Sequence, residues 1–241
     1  MFSSIITAFW KQSFSTGDKL YSDADFSIYA DAELNEGESG TILVTESKIA
    51  VSLCPPLADR LDLNSEPMSD AIFRQKLVEH KIALHGADYL FYFPAGVAAS
   101  LTPADPSRSV RRLTADDEAA FTEFCAASSE DDLDAAYVEL NHWLVFGAFD
   151  GGRLVCAASM YPWQESKIAD MGILTLPAYR GKGYARDTVH AICKHATSLG
   201  FEPQYRCQLD NQASVELAKS AGLALFGTWD NLLSAADKEN C

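Results

Sequence analysis

"LPAYRGKGYARD", residues 176–187, decides the fold. It sets Arg180, Lys182 and Arg186 around Gly181 and Gly183, just after the apolar run "MGILTL" and just before a helix-like pattern. Ala185, Val189, Ile192, Ala196 and Leu199 recur at spacings of four, three, four and three, which is one buried stripe of a helix. Gly200 stops that helix. The stretch is therefore a strand, a glycine loop and a helix N-terminus in close succession. Such a junction presents unpaired backbone N–H groups and the positive end of the helix dipole. Glycines let a ligand approach the backbone without interference from Cβ. A phosphate or pyrophosphate suits it, although a plain strand–helix turn with solubilising cations reads equally well from the loop alone.

Working outward, the C-terminal part reads as a strand at "VRRL", helices at 114–128 and 130–139, and strands "HWLVFGAF" and "RLVCAASMYP" around the turn "DGG". "SKIADMGILTL", the quoted loop and a helix to 199 follow. Then come a strand "PQYRCQL", a helix from Asn211 to Ala221, and "LALFGTW". The N-terminal part reads as a helix at 4–14, a hairpin of "TILVTE" and "KIAVSLC", a helix from Ser69 or Asp70 to Gly86, and a strand "YLFYFP". His80 and His85 are expected on that last helix, splayed by about 140° and unsuited to sharing a metal. Residues 95–109, rich in Ala, Ser and Pro, read as a linker. The expected fold is α/β, with an accessory α/β domain at 1–100 and a second domain at 108–235.

Composition narrows the function. The chain has 241 residues and a formal net charge of −15, which argues against nucleic acid and anionic membrane surfaces as partners and favours a cationic one. Cys54, Cys125, Cys156, Cys193, Cys207 and Cys241 form no CxxC pair and mostly sit in apolar runs, as reduced thiols of a cytoplasmic protein do. "MFSSIITAFWKQSF" lacks the basic start and long apolar core of a signal peptide, and no run is long enough for a membrane span. His142 and His190 have no partner at ligand spacing, so no metal site is expected.

Three phosphate-binding readings compete for the loop. A P-loop requires GxxxxGK[ST], and Tyr184 stands where Ser or Thr is needed. A dinucleotide fingerprint is nearly met by Gly181 and Gly183, with Asp210 as a ribose acceptor, but Arg186 replaces the third glycine. The third reading is an acyl-coenzyme A loop. Arg180-Gly181-Lys182-Gly183-Tyr184-Ala185 resembles the R/Q-x-x-G-x-G/A signature of the GCN5-related N-acetyltransferase (GNAT) superfamily. "LDNQASVELAKSAGL" resembles that family's next strand-to-helix segment, and the order of elements over residues 108–230 is similar too.

The resemblance implies a mixed sheet flanked by helices, with acetyl-CoA in a cleft where the strands "GILTL" and "YRCQL" splay apart. It implies that the backbone of Ile173 to Leu176 pairs with the pantetheine arm, and that one N–H among Leu174, Thr175 and Leu176 is offered to the thioester carbonyl. The amides of Gly181 to Arg186 then hold the pyrophosphate. Lys182 and Arg186 add charge, while Arg180 adds charge or braces the loop. Asn211 caps its helix and contacts the coenzyme, and Ser214 with Ala218 and Ala221 gives that helix a small face. The implied reaction is transfer of acetyl to an amine by direct attack in a ternary complex, and homodimers are common in the family. Family members often carry a tyrosine on the last helix as general acid, where this chain has Ala218. Tyr161, Asp170 and Tyr205 are the substitutes for catalytic roles, with Glu165 nearby. An acyl-CoA-binding sensor without turnover and a nicotinamide-dependent enzyme are the alternatives. The N-terminal part is either a cap on the acceptor pocket or a decayed copy of the same fold.

Overall fold

The computed structural model describes residues 1–34, 40–63, 68–102, 105 and 107–233. Three positions of the expected linker (103, 104 and 106), the last two residues of the expected second domain (234 and 235) and Cys241 lie outside these. The chain forms two compact units. One comprises Met1–Ile6, Phe91–Arg206 and Asn211–Ala224; the other comprises Thr7–Leu90, Cys207–Asp210 and the chain from Leu225 onward. Both are mixed α/β.

The unit built on Thr7–Leu90 contains most of α1 (Ser4–Ser13) and then β1 (Asp18–Ser22), β2 (Phe26–Ala30), β3 (Gly40–Thr45), β4 (Ile49–Leu53), α2 (Pro55–Arg60), α3 (Asp70–Glu79) and the start of β5 (Asp88–Tyr92). β2 pairs antiparallel with β1 and parallel with β4, and β3 and β4 form the hairpin that the sequence suggests. Of the two caps the sequence offers, Ser69 and Asp70, it is Ser69 that caps α3, accepting from the Ile72 N–H. The helix ends earlier than expected, however. Lys81 adopts φ 56°, and the Ile82 N–H folds back onto Leu77 O. His80 is thus the C-cap, and His85 lies beyond the helix with its N–H on Asn231 O. Ile28, Val51, Leu53, Leu61 and Phe73 form the centre of this unit's core.

The unit built on Phe91–Arg206 runs through β6 (Ser109–Arg112), α4 (Glu118–Ala126), α5 (Glu130–Ala136), β7 (Leu144–Asp150), β8 (Arg153–Pro162), β9 (Ile168–Thr175), α6 (Tyr184–Ser198), β10 (Glu202–Gln208, to Arg206) and α7 (Gln212–Ala221). β6, β7, β8 and β9 form an antiparallel meander, and α6 carries the chain across to β10, which is parallel to β9. Asp150-Gly151-Gly152 makes the β7–β8 turn, both glycines having positive φ as a tight hairpin requires. α5 stops before 139 because Tyr137 takes a left-handed conformation. Val189, Ile192 and Ala196 are buried along α6, but Leu199 is its C-cap and is 49% exposed, outside the stripe the spacing suggests. Burying Val189 and Ile192 stabilises the helix on the sheet by about 1.5–3 kcal/mol each. The final strand, β11 (Ala224–Leu232), pairs antiparallel with β3 through Gly227–Leu232, and Leu232 joins the core of the first-described unit.

Candidate active site

The site starts from the register of three strands. β9 pairs with β10 from Ile168/Glu202 to Met171/Tyr205 and no further, although β9 continues to Thr175. On its other side β9 stays paired with β8 up to Thr175/Cys156. The Leu176 N–H donates to Val155 O at 2.9 Å, which makes Thr175/Cys156 a non-hydrogen-bonded pair. The N–H groups of Leu174 and Leu176 therefore turn toward β8. Those of Ile173 and Thr175 point the opposite way, along the stretch that β10 does not cover. Of Leu174, Thr175 and Leu176, named from the sequence for the thioester N–H, only Thr175 offers an outward N–H; in the longer stretch Ile173 to Leu176, Ile173 does so too.

The loop follows directly. Pro177–Tyr179 form a 3-10 turn, Gly181 has φ 73° and Gly183 φ 88°. Gly183 is the N-cap of α6 and has no side chain to bond that end, so among the described residues the first-turn amides have no N-cap side chain as acceptor. Glycine is required here for its backbone conformation, which side chains adopt only with strain. Arg180 braces the loop: its Nε donates to Thr175 O at 3.1 Å and its Nη2 to Asp132 at 2.8 Å. Arg108 braces it from the other side, donating to Lys182 O and to Asp187, both at 2.5 Å. Asp187 is fully buried, so its negative charge in the first turn of α6 is answered by Arg108. Lys182 lies with its ammonium over the Tyr179 ring at 5.0 Å. The Nε of Arg186 is buried with no hydrogen-bond partner among the described residues. Tyr184 stacks under Arg108 at 5.0 Å, and Ala185 sits beside it in the same turn.

Asn211 caps α7, its side chain accepting from the Ser214 N–H at 3.0 Å. Ala218 is fully buried, and neither it nor Ala221 has a proton to give. The three residues named for catalysis stand on neighbouring strands. Asp170 is buried and accepts from Gln204 Nε2 (2.8 Å), Arg206 Nη2 (2.9 Å) and the Tyr161 hydroxyl (3.1 Å). Gln204 in turn accepts from the Tyr92 hydroxyl. Burial, then the Asp170 charge, pushes the Tyr161 hydroxyl up to about 12, so it keeps its proton at neutral pH. Tyr205 is buried on β10 at the last register pair with β9. Glu165 has φ 54° in the turn after β8, and Arg206 stacks over neighbouring Trp163 at 4.2 Å.

The structure adds residues that local spacing does not reveal. His142 Nδ1 lies 2.8 Å from Ser159 Oγ, and its ring packs against Tyr137 (5.0 Å) and Tyr161 (5.2 Å). Ser159 is opposite Gly172, and Tyr161 is opposite Asp170. A Cβ on Gly172 would lie 2.0 Å from Ala136 O, so the end of α5 rests directly on β9 where its pairing with β10 ceases. These groups come together only through the β8–β9–β10 register. The alternation of 159 with 161, 170 with 172 and 204 with 206 is the signal that, once strands are paired, puts them on one face.

No helix among the described residues is long and apolar enough to cross a membrane, and no three metal-ligating side chains cluster among them. The model of the Acetyltransferase (GNAT) family matches residues 111–223. Among solved structures, a GNAT-family acetyltransferase from Colwellia psychrerythraea is 16% identical, with 95% of this chain and 96% of that one covered at a TM-score of 0.52. A conserved protein of unknown function from Staphylococcus epidermidis is 13% identical over 93% and 97%, with a TM-score of 0.48. A GCN5-related N-acetyltransferase from Kribbella flavida is 14% identical over 67% and 63%, with a TM-score of 0.49. The likeness to the Colwellia protein is one of fold, and a search of curated proteins returned no match. Strand register, glycine loop, element order and family model agree: residues 111–223 form a GNAT-family acetyltransferase domain.

Proposed function

We propose that this chain transfers an acetyl group from acetyl-CoA to an amine, by direct attack in a ternary complex. Membership of residues 111–223 in the GNAT family makes acyl transfer from an acyl-CoA the general activity. The observation that carries the finer reading is the end of β9 that β10 leaves uncovered, followed by the glycine loop and a helix N-terminus whose N-cap has no side chain. The residues fit the coenzyme on three counts. Ile173 and Thr175 turn backbone groups outward, Gly181 leaves open space where a Cβ would stand, and Arg186 carries a buried Nε that, among the described residues, has no hydrogen-bond partner and lies 4.0 Å from the Asp187 carboxylate.

In this reading Thr175 pairs with the pantetheine arm as an added strand would. Ile173 is the first outward N–H beyond the last β10 pair, and it is the donor for the thioester oxygen as negative charge develops there. The amides of Gly181 to Arg186, with Lys182 and Arg186, hold the pyrophosphate. Arg180 and Arg108 hold the loop itself. When bound, acetyl-CoA supplies an activated acyl group with a thiol leaving group, and the chain supplies alignment of the two substrates. Asn211 and Ser214 border the coenzyme at the start of α7. The acidic balance favours a cationic acceptor, and cytoplasmic placement and a homodimer belong to the same reading.

The rival reading is a sensor that holds acyl-CoA without turnover. Ala218 favours it, because α7 brings no hydroxyl to the leaving sulfur. Acetyl-CoA with a panel of primary amines, scored by thiol release, separates the two. Amine-dependent release supports transfer, whereas tight CoA binding with no release for any amine supports the sensor.

A further inference from the structure

We propose that His142 is the proton acceptor for the amine, a role that rests on the acyl-transfer reading above. Its ring is held where the reaction would occur. Nδ1 is fixed to Ser159, and Ser159 is the register partner of Gly172, the residue before the Ile173 amide. Ser159 is fully buried and receives the Glu139 N–H at 3.4 Å; its own hydroxyl points at Tyr137 O at 3.5 Å. A serine whose proton goes to that carbonyl accepts from Nδ1–H, which leaves Nε2 as the bare nitrogen. Nε2 lies 3.6 Å from the carboxylate of Glu139, whose side chain is 47% exposed. The basic nitrogen therefore faces an anion at the surface, where an ammonium group is attracted and an imidazolium is tolerated.

The other groups around the ring agree with this role. Tyr137 and Tyr161 enclose it, and the Tyr161 proton is committed to Asp170, which is itself matched by Arg206. Among the described residues Glu139 is thus the charged group paired with the imidazole itself. Burial holds the imidazole below its ordinary value despite Glu139, so the ring is neutral at pH 7 and ready to take a proton. The steps balance. The ammonium gives one proton to Nε2, and the nitrogen lone pair forms the C–N bond as the C–S bond breaks. The second proton of the amine leaves with the thiolate, and His142 returns its proton to water.

The test has one arm that needs no acceptor. In ¹⁵N-histidine spectra of the full chain, the signals lost in His142→Asn identify the ring. The expected result is the neutral Nδ1–H form at pH 7, titrating below the ordinary histidine value; an Nε2–H form would overturn the proposal. His142→Asn keeps an amide donor for Ser159 but has no base, and its thermal unfolding serves as the check on folding. With whichever primary amine supports thiol release, kcat/KM should fall about 10²-fold and the acid limb of its pH profile should vanish. Hydroxylamine, already neutral at pH 7, should react as fast with the variant as with the wild type. An unchanged rate and acid limb with the primary amine contradict the role of His142 while leaving acyl transfer standing. If no amine supports release in the wild type, acyl transfer fails, and the ring spectra still decide the proton state.

Discussion

A single residue shows how closely α5 and β9 are fitted. Gly172 has ordinary strand geometry, yet its missing Cβ makes room for Ala136 O, a backbone atom that cannot swing aside. Gly172→Ala should therefore cost about 1–3 kcal/mol by overpacking. For a chain of this size each kcal/mol lowers Tm by about 2–4 °C. Thermal unfolding checks this, and an unchanged Tm would show that α5 does not rest on the strand. At this scale the sequence was legible where chemistry is local. Asn211 is legible as a cap, and the cap of α3 is narrowed to Ser69 or Asp70, because a cap bonds within three residues of itself. The sequence leaves Arg180 between two roles, since Asp132 lies 48 residues away and nothing nearby announces it. His142 read as isolated for the same reason, its partner Ser159 lying 17 residues on in another strand.

At the scale of elements, the loop before α6 carries the coenzyme reading. Gly181 has a positive φ but open space where a Cβ would go, so a residue that tolerates the left-handed region can replace it without a clash. Gly181→Asn and Gly181→Asp have the same shape and differ in charge. Both should fold, and the Asp variant should bind CoA at least about tenfold more weakly than the Asn variant, a difference of about 1.4 kcal/mol. Equal affinities would place the pyrophosphate elsewhere. The β9–loop–α6–β10 run was legible because its apolar stripe, two glycines and stop signal are all local. β1 and β2 were not, because strands of five residues carry too few alternations to stand out. α3 is shorter than its sequence pattern suggests because the left-handed turn at Lys81, a residue with no special liking for it, ends the helix.

At the scale of the whole chain, the two compact units are not two consecutive stretches of sequence. Hydrophobic patterning cannot say which sheet "LALFGTW" joins, and β11 pairs with β3. A fragment of residues 108–235 would lack that partner and leave Leu232 without its core. Hydrogen exchange of the fragment should show the Gly227–Leu232 amides unprotected, against protection in the full chain. Equal protection in both would mean that β11 is stabilised without β3. The net charge of −15 makes the small basic loop around Lys182 and Arg186 a local exception, which is what a polyanionic coenzyme needs from an otherwise acidic surface.

The most direct measurement is a calorimetric titration of the full chain with acetyl-CoA and, separately, with acetyl-pantetheine, which has the same thioester arm and no pyrophosphate. Saturable one-site binding of acetyl-CoA, with affinity for the truncated arm weaker by at least about tenfold, is the expected result. No heat with acetyl-CoA, or equal affinity for the two, would contradict a diphosphate held by the loop at 180–186.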